Sequence, residues 1–351
     1  MAIVSRTLFS LASVVLLGVS TAAASHTKVY VANQGSNTVT VIDDQRVSAM
    51  AAARAGSPSD EARVLDSDFA IVATIPVGAN PQAVATSADG TLAYVANLGS
   101  NTLTIIDTEL DVVVATVSAG PNPRDVEATP DGRYVLVTNQ LPANLVTVLE
   151  TSHYSIVATI PVGTNPCAIS IAPDSSVAYI TNRGSNNISI IDLRTLTMTG
   201  TVTVGTFACD VMFTPDGRLA VVTNRISGTI TVIDTLSTQV VATVATGPSP
   251  QGVAFNPDGS RAYITNAGNI AVIDMSSFIV VDSISNIPSG PCPVAATMDM
   301  NQGHDGHIYV ASNTQPGVVN VVDAGTNSVI AVLPVGVRPL GIGVRMWPRL
   351  K

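Results

Sequence analysis

A four-residue pattern that recurs seven times constrains this chain more than any other feature. It reads Tyr30-Val31-Ala32-Asn33, then Tyr94-Val95-Ala96-Asn97, Leu136-Val137-Thr138-Asn139, Tyr179-Ile180-Thr181-Asn182, Val221-Val222-Thr223-Asn224, Tyr263-Ile264-Thr265-Asn266 and Val310-Ala311-Ser312-Asn313. Successive asparagines lie 64, 42, 43, 42, 42 and 47 residues apart, so the unit is about 42 residues, with a long insertion in the first copy and a short one in the last. A fixed period of this length marks one supersecondary unit repeated along the chain.

Within a unit the segments keep one order. In the second copy Pro81 to Ala88 leads to an Asp89-Gly90 turn, Leu92 to Asn97 and Leu103 to Asp107 follow, and Val112 to Val117 runs on to Gly120-Pro121. Each segment has strand length and is rich in Val, Ile and Thr between turn residues, and no helical period stands out, so the unit reads as four antiparallel strands. Turns such as Pro130-Asp131-Gly132 and Pro215-Asp216-Gly217 supply a φ-restricted proline and a glycine suited to positive φ. Such a sheet is apolar on both faces and cannot stand alone, so the copies stack face to face, and radial closure of seven protects their edges. The expected fold is all-β: a seven-bladed β-propeller of four-stranded antiparallel blades.

The two ends of the chain predict how the ring closes. The first copy begins at Lys28-Val29-Tyr30-Val31 with no innermost strand before it. After the seventh copy comes Arg338-Pro339-Leu340-Gly341-Ile342-Gly343-Val344, an innermost strand with no repeat after it, so the N- and C-terminal strands pair in one shared blade. The expected organisation is a signal peptide over 1–24 and one propeller domain over 25–351, with an exposed inserted loop at 44–68.

The seven in-register copies, over residues 28–346, resemble the YVTN-family β-propeller repeat proteins. That family includes surface-layer-like and periplasmic proteins and is related to the propeller lactonases. The resemblance implies the architecture; propellers host unrelated activities, so it implies no single function.

Composition narrows the partners. The 351 residues are 46% hydrophobic and 12% charged with a net charge of −9, and Lys and Arg form no stripe, which argues against nucleic acid and acidic membrane surfaces. Arg6, the apolar run Leu8 to Val19 and Ala22-Ala23-Ala24 read as a secretory signal cleaved after Ala24, which places the mature chain in the periplasm or outside the cell. No later run is long enough to span a membrane, and a monomer is expected.

Columns in which the copies differ carry the functional reading. The tetrapeptide asparagines read as turn residues that bond turn backbone and tolerate a left-handed conformation, and Asp43, Asp107, Asp192, Asp234, Asp274 and Asp323 as turn caps. One column at the start of the innermost strand holds Gln82, Arg124, Cys167, Cys209, Gln251 and Cys292, with Leu340 in the closing strand, so all three cysteines share one register near the mouth of the central channel. Three readings stand for it: a Cys167–Cys209 disulfide, a soft metal held by thiolates, and buried inert thiols as the default. Arg124, Asp125 and Asp210 join that rim, with Arg183, Arg225 and Arg338 in nearby turns, a set able to orient a small anionic or polar ligand; the bland alternative is a solvated rim. His304-Asp305-Gly306-His307 replaces the usual turn in the seventh copy and is a candidate metal site, though a polar loop is the simpler reading.

No nucleophile elbow, P-loop, dinucleotide fingerprint or haem-attachment motif is present, and the four histidines are too few for multi-His sites, so no cofactor is expected. The favoured function is a non-catalytic binding or surface scaffold that presents its channel face to a ligand or protein partner. The alternative is a lactonase-like hydrolase or lyase, whose catalytic candidates are Arg124, Asp125 and Asp210.

Overall fold

A computed structural model describes residues 27–54, 70–285, 287, 293–298 and 306–345. The predicted signal, Cys292, His304, Asp305 and residues 55–69 lie outside them. Twenty-eight strands, numbered β1 to β28 along the chain, form seven four-stranded antiparallel sheets among the described residues. Six sheets are meanders of four consecutive strands. The seventh joins the two ends: β28 (Pro339–Arg345) pairs with β1 (Lys28–Asn33), followed by β2 (Thr38–Asp43) and β3 (Ile71–Pro76). Val29 lies opposite Val344 and Val31 opposite Ile342, the closure that the sequence predicts.

The innermost strands of the other blades are β4 (Pro81–Thr86), β8 (Pro123–Ala128), β12 (Pro166–Ile171), β16 (Ala208–Phe213), β20 (Gly252–Phe255) and β24 (Pro293–Met298). They touch in cyclic order, and β24 touches β28, which touches β4, so the ring is closed around a channel. Two apolar faces per sheet explain why. Seven clusters of buried apolar side chains lie between successive blades, such as Tyr30, Val39, Val84 and Val95 between the first and second blades. Each blade thus buries both faces only when it has two neighbours.

The tetrapeptide has a different job at each position. Its tyrosines, Tyr30, Tyr94, Tyr179 and Tyr263, are among the largest fully buried side chains, and so is Tyr309, which takes the same place in the seventh blade because Ser312 and not Asn313 ends the second strand there, one residue off the register read from the sequence. Its asparagines are buried too, and they correct the expectation of left-handed turn residues: the positive φ falls on Asn37, Asn101 and Asn186 instead. The buried amides tie the second strand to the third, as when Asn97 Nδ2 donates to Thr104 Oγ1 at 2.9 Å and Asn224 Nδ2 to Thr231 Oγ1 at 2.9 Å. The aspartate column does cap turns: Asp107 Oδ1 accepts the N–H groups of Glu109 and Leu110, both at 2.9 Å.

The insertion is corrected in part. Residues 44–54 are not a loop but a helix, α1 (Asp44–Arg54). Asp43 caps it, accepting the Arg46 N–H at 3.2 Å, and the run Ala51-Ala52-Ala53 favours helix once a cap is set. Val47 is wholly buried and packs with Val29, Ile42 and Tyr309, so the helix is docked at the seam of the first and seventh blades.

Close packing of the closing strand gives a direct test. A Cβ on Gly341 would stand 2.5 Å from Ala83 Cα and 2.8 Å from Gln82 O, both backbone atoms of β4 that cannot swing aside. Gly341→Ala is expected to cost ~1–3 kcal/mol and to lower Tm. Gly200→Ala, at a strand glycine with nothing within 4 Å, keeps or raises it.

Candidate binding site at the channel mouth

The cysteine column is where the innermost strands bulge. Pairing with the second strand slips between Pro81 and Ala83, Pro123 and Val126, Pro166 and Ile169, and Ala208 and Val211. A bulge turns its extra residue away from the ladder, and here it turns Gln82, Arg124, Asp125, Cys167, Cys209 and Asp210 toward the channel, where they line one cavity. In three of these four blades the tetrapeptide threonine, Thr138, Thr181 or Thr223, fixes the bulge; the fourth has Ala96 there. Thr138 Oγ1 accepts the Asp125 N–H at 3.0 Å and donates to the Cys167 carbonyl of the next blade at 3.0 Å. Thr223 does the same for Asp210 N–H, at 3.0 Å, and the Gln251 carbonyl, at 2.9 Å.

The cavity has a volume of about 290 Å³. Its lining contains Gln82, Arg124, Asp125, Cys167, Arg183, Cys209, Asp210, Arg225, Gln251 and Arg338, so the structure brings together every predicted mouth residue that lies among the described ones. His307 is not there. It sits at the seam of the first and seventh blades, where its Nδ1 is 2.7 Å from Asp44 Oδ1.

Arg124 donates to the Gln82 side-chain oxygen, which draws its guanidinium across to the neighbouring blade. Arg183 and Arg225 hold equivalent places after the asparagine in adjacent blades, and both lie over the ring of Phe207, at 5.3 and 5.8 Å from its centroid. Phe207 is itself an exception. Its place in the repeat is Asn80, Asn122, Asn165, Ser249 or Arg338 in other blades, all left-handed, and Phe207 keeps that conformation with φ 62°. A bulky residue adopts this region rarely, and such outliers cluster at functional sites. Arg225 Nε also donates to Ser249 Oγ at 3.0 Å, so ring and hydroxyl together hold the fork in place.

The carboxyls share this lining with the guanidinia, and each bridges two blades. Asp125 Oδ2 accepts the Ile169 N–H at 2.9 Å, and Asp210 Oδ2 the Val253 N–H at 3.0 Å. Glu127, absent from the sequence candidates, does the same with the Ile171 N–H two residues further along β8. Burial pushes Asp125 up to about 6 against the pull of the Ile169 and Val126 N–H groups and of Arg124 and Arg183. It pushes Asp210 up to about 7, with the charge of Asp125 adding to it, and Glu127 rises well above the usual carboxylate range for the same two reasons. Cys167 and Cys209 are buried free thiols rather than a disulfide, and burial raises Cys209 to about 11, so it is neither thiolate nor nucleophile near neutral pH.

The model of the YNCE-like β-propeller family matches residues 168–261, the fourth and fifth blades that supply Cys167's neighbour Ala168, Arg183, Cys209 and Arg225. The chain is a seven-bladed β-propeller, similar to that family over these residues. The model of the cytochrome D1 heme domain matches residues 59–180 of the same propeller. No curated protein matches it. Among solved structures it is similar to a functionally unknown protein from Desulfotomaculum acetoxidans, with a TM-score of 0.74 and 18% identity over 90% of this chain and 98% of that one. It is also similar to the hydrazine synthase of Kuenenia stuttgartiensis, with a TM-score of 0.67 and 20% identity over 84% and 92%. A third is the dihydro-heme d1 dehydrogenase NirN in complex with DHE, with a TM-score of 0.61 and 21% identity over 90% and 74%. At these identities the likeness is one of fold.

Axial ligands to haem come from His, Cys thiolate, Met or Tyr. Among the described residues, the lining of the mouth offers haem iron no His, Met or Tyr ligand, and the Cys209 thiol is held protonated. What the lining offers instead is a set of planar cationic donors.

Proposed function

We propose that this propeller is an exported, non-catalytic binding protein that holds a small dicarboxylate-type anion at the mouth of its channel. The observation that carries the reading is the convergence of Arg124, Arg183, Arg225 and Arg338 on one small cavity, with Gln82 and Gln251 between them. Guanidinium forks match carboxylates in shape and charge, and a charge-assisted pair is about twice as strong as a neutral one. A cavity of about 290 Å³ is at the low end for ligand sites, which favours a ligand of a few carbons. No helix among the described residues is long and apolar enough to cross a membrane, and the signal-like N-terminus supports export.

Calorimetry of the signal-free chain with succinate, citrate and the neutral analogue succinamide tests this. Binding is expected for the two anions and not for succinamide. Arg183→Ala and Arg225→Ala should each weaken it by about 10–100-fold, the worth of one charged hydrogen bond. Equal binding of succinamide, or no binding of either anion, would overturn the proposal.

One observation favours a second reading, hydrolysis of a small lactone. Asp125 and Asp210 titrate near neutrality inside a cleft, as general acids and bases do. Against it, both carboxyls already accept backbone N–H groups. Turnover of a lactone panel that disappears in Asp210→Asn would establish it in place of simple binding.

A further inference from the structure

We infer that the channel takes up its anion together with protons, and that Asp125 and Asp210 receive them. This rests on the anion-binding reading and specifies its regulation. The geometry is that of one shared cavity: both carboxyls line the same space as the four guanidinia, so neither can be indifferent to a charge placed there. They stand at the same repeat position on β8 and β16, and the strand between them, β12, carries only Ala168 at that place. No bulky side chain at that position screens one from the other, and the charge of Asp125 raises the proton affinity of Asp210.

The groups that face them set the sign. From β8 come Arg124 and Glu127; from the turns of the fourth and fifth blades come Arg183 and Arg225; Arg338 precedes β28. The thiols of Cys167 and Cys209 stand between, and Cys209 stays neutral. β4 and β20 contribute the uncharged Gln82 and Gln251. Four guanidinia thus meet three carboxyls: the site is formally +4 when the carboxyls are protonated and +1 when they are ionised. An anion that arrives among the guanidinia takes over their field and adds its own charge beside Asp125 and Asp210. Ionisation of those two groups then costs more than before, and protons are drawn in.

Linkage requires the reverse as well. If binding takes up protons, affinity falls as pH rises, by at most about tenfold per pH unit for each proton bound. The groups already titrate near 6 and 7, which puts the change between about pH 5.5 and 8. An ionised pair repels the anion and competes for the same arginines; a protonated pair does neither and offers O–H donors to the ligand's inner oxygens. Glu127, held protonated more firmly by burial and by the charge of Asp125, contributes less over this range.

The test uses ethanedisulfonate, the analogue of succinate that carries no titrating proton in this range, and the whole signal-free chain. Calorimetry at pH 6.5 in buffers of different ionisation enthalpy counts the protons taken up, and a series from pH 5.5 to 8 gives the affinity profile. Expected are uptake of more than half a proton per ligand and at least a tenfold loss of affinity across the series. Asp210→Asn should reduce both the proton count and the slope, with thermal melting used to establish that the variant is folded. Binding with no proton uptake and a flat profile would overturn the inference and leave the anion site standing. Undiminished uptake in folded Asp125→Asn and Asp210→Asn proteins would assign the protons elsewhere and also overturn it. Absence of disulfonate binding at every pH would instead remove the anion site itself.

Discussion

A chain ended after Gly336, which lacks β28, is expected to lose its cooperative thermal transition. The first blade would keep only β1, β2 and β3, and the ladder Lys28–Arg345, Val29–Val344, Tyr30–Gly343, Val31–Ile342 would be gone. Leu340 and Ile342, both buried, would no longer fill the wall between the first blade and its neighbours, a loss of ~1.5–3 kcal/mol each from burial alone. More follows from topology. In a ring every blade needs two neighbours, and the closing sheet is the one place where the circle is held by hydrogen bonds and packing instead of by the chain. A domain is stable by only ~5–15 kcal/mol, and an opened ring exposes apolar faces on both sides of the break. Calorimetry or far-UV circular dichroism would read this as a lost or strongly lowered transition. A peptide spanning 337–346, added in trans, should restore part of it. An unchanged Tm in the shortened chain would mean that the seam contributes nothing to closure.

The ring could be read from the chain because its period is regular: seven tetrapeptides and one displaced innermost strand leave few alternatives. The same register placed the channel mouth, since a side chain's column in the repeat fixes which end of the blade it occupies. It did not fix depth or partner. Glu127 escaped notice although its equivalents are Ala85, Ser170, Met212 and Ala254, a departure as plain as that of Asp125. Phe207 escaped for a related reason: the left-handed backbone that makes it unusual becomes visible only once Asn80, Asn122 and Asn165 are seen to share it. The buried asparagines looked like turn residues because sequence cannot distinguish the last residue of a strand from the first of a turn. Helix α1 was hidden for a different cause: alanine-rich residues after a loop-like acidic pair carry little amphipathic pattern, and docking of Val47 at the seam supplied what the pattern lacked.

That docking leads to a second expected result: Asp44→Ala should destabilise the protein more than Asp111→Ala at the next blade boundary. Asp44 is wholly buried, and its Oδ1 lies 2.7 Å from His307 Nδ1 and accepts the Tyr309 hydroxyl, both from the seventh blade. The boundary between the first and second blades has the matching arrangement, in which Asp111 receives Lys28 Nζ at 2.7 Å and the Tyr30 hydroxyl at 2.9 Å. His307 and Lys28 precede their tyrosines by the same two residues, so the closing blade is tethered on both sides by one device. Burial separates the two. The Lys28 and Asp111 side chains keep 14% and 16% of their exposure, whereas Asp44 keeps none. Removal of one partner from a buried pair costs ~3–5 kcal/mol, on the order of 5–15 °C in Tm for a domain of this size, because His307 and Tyr309 are left facing a void. Asp111→Ala, where water can replace the lost carboxylate, should cost clearly less. Asp44→Asn, which keeps an acceptor, should fall between them. Equal losses for Asp44→Ala and Asp111→Ala would show that exposure, not the tether, has been misjudged as the deciding variable.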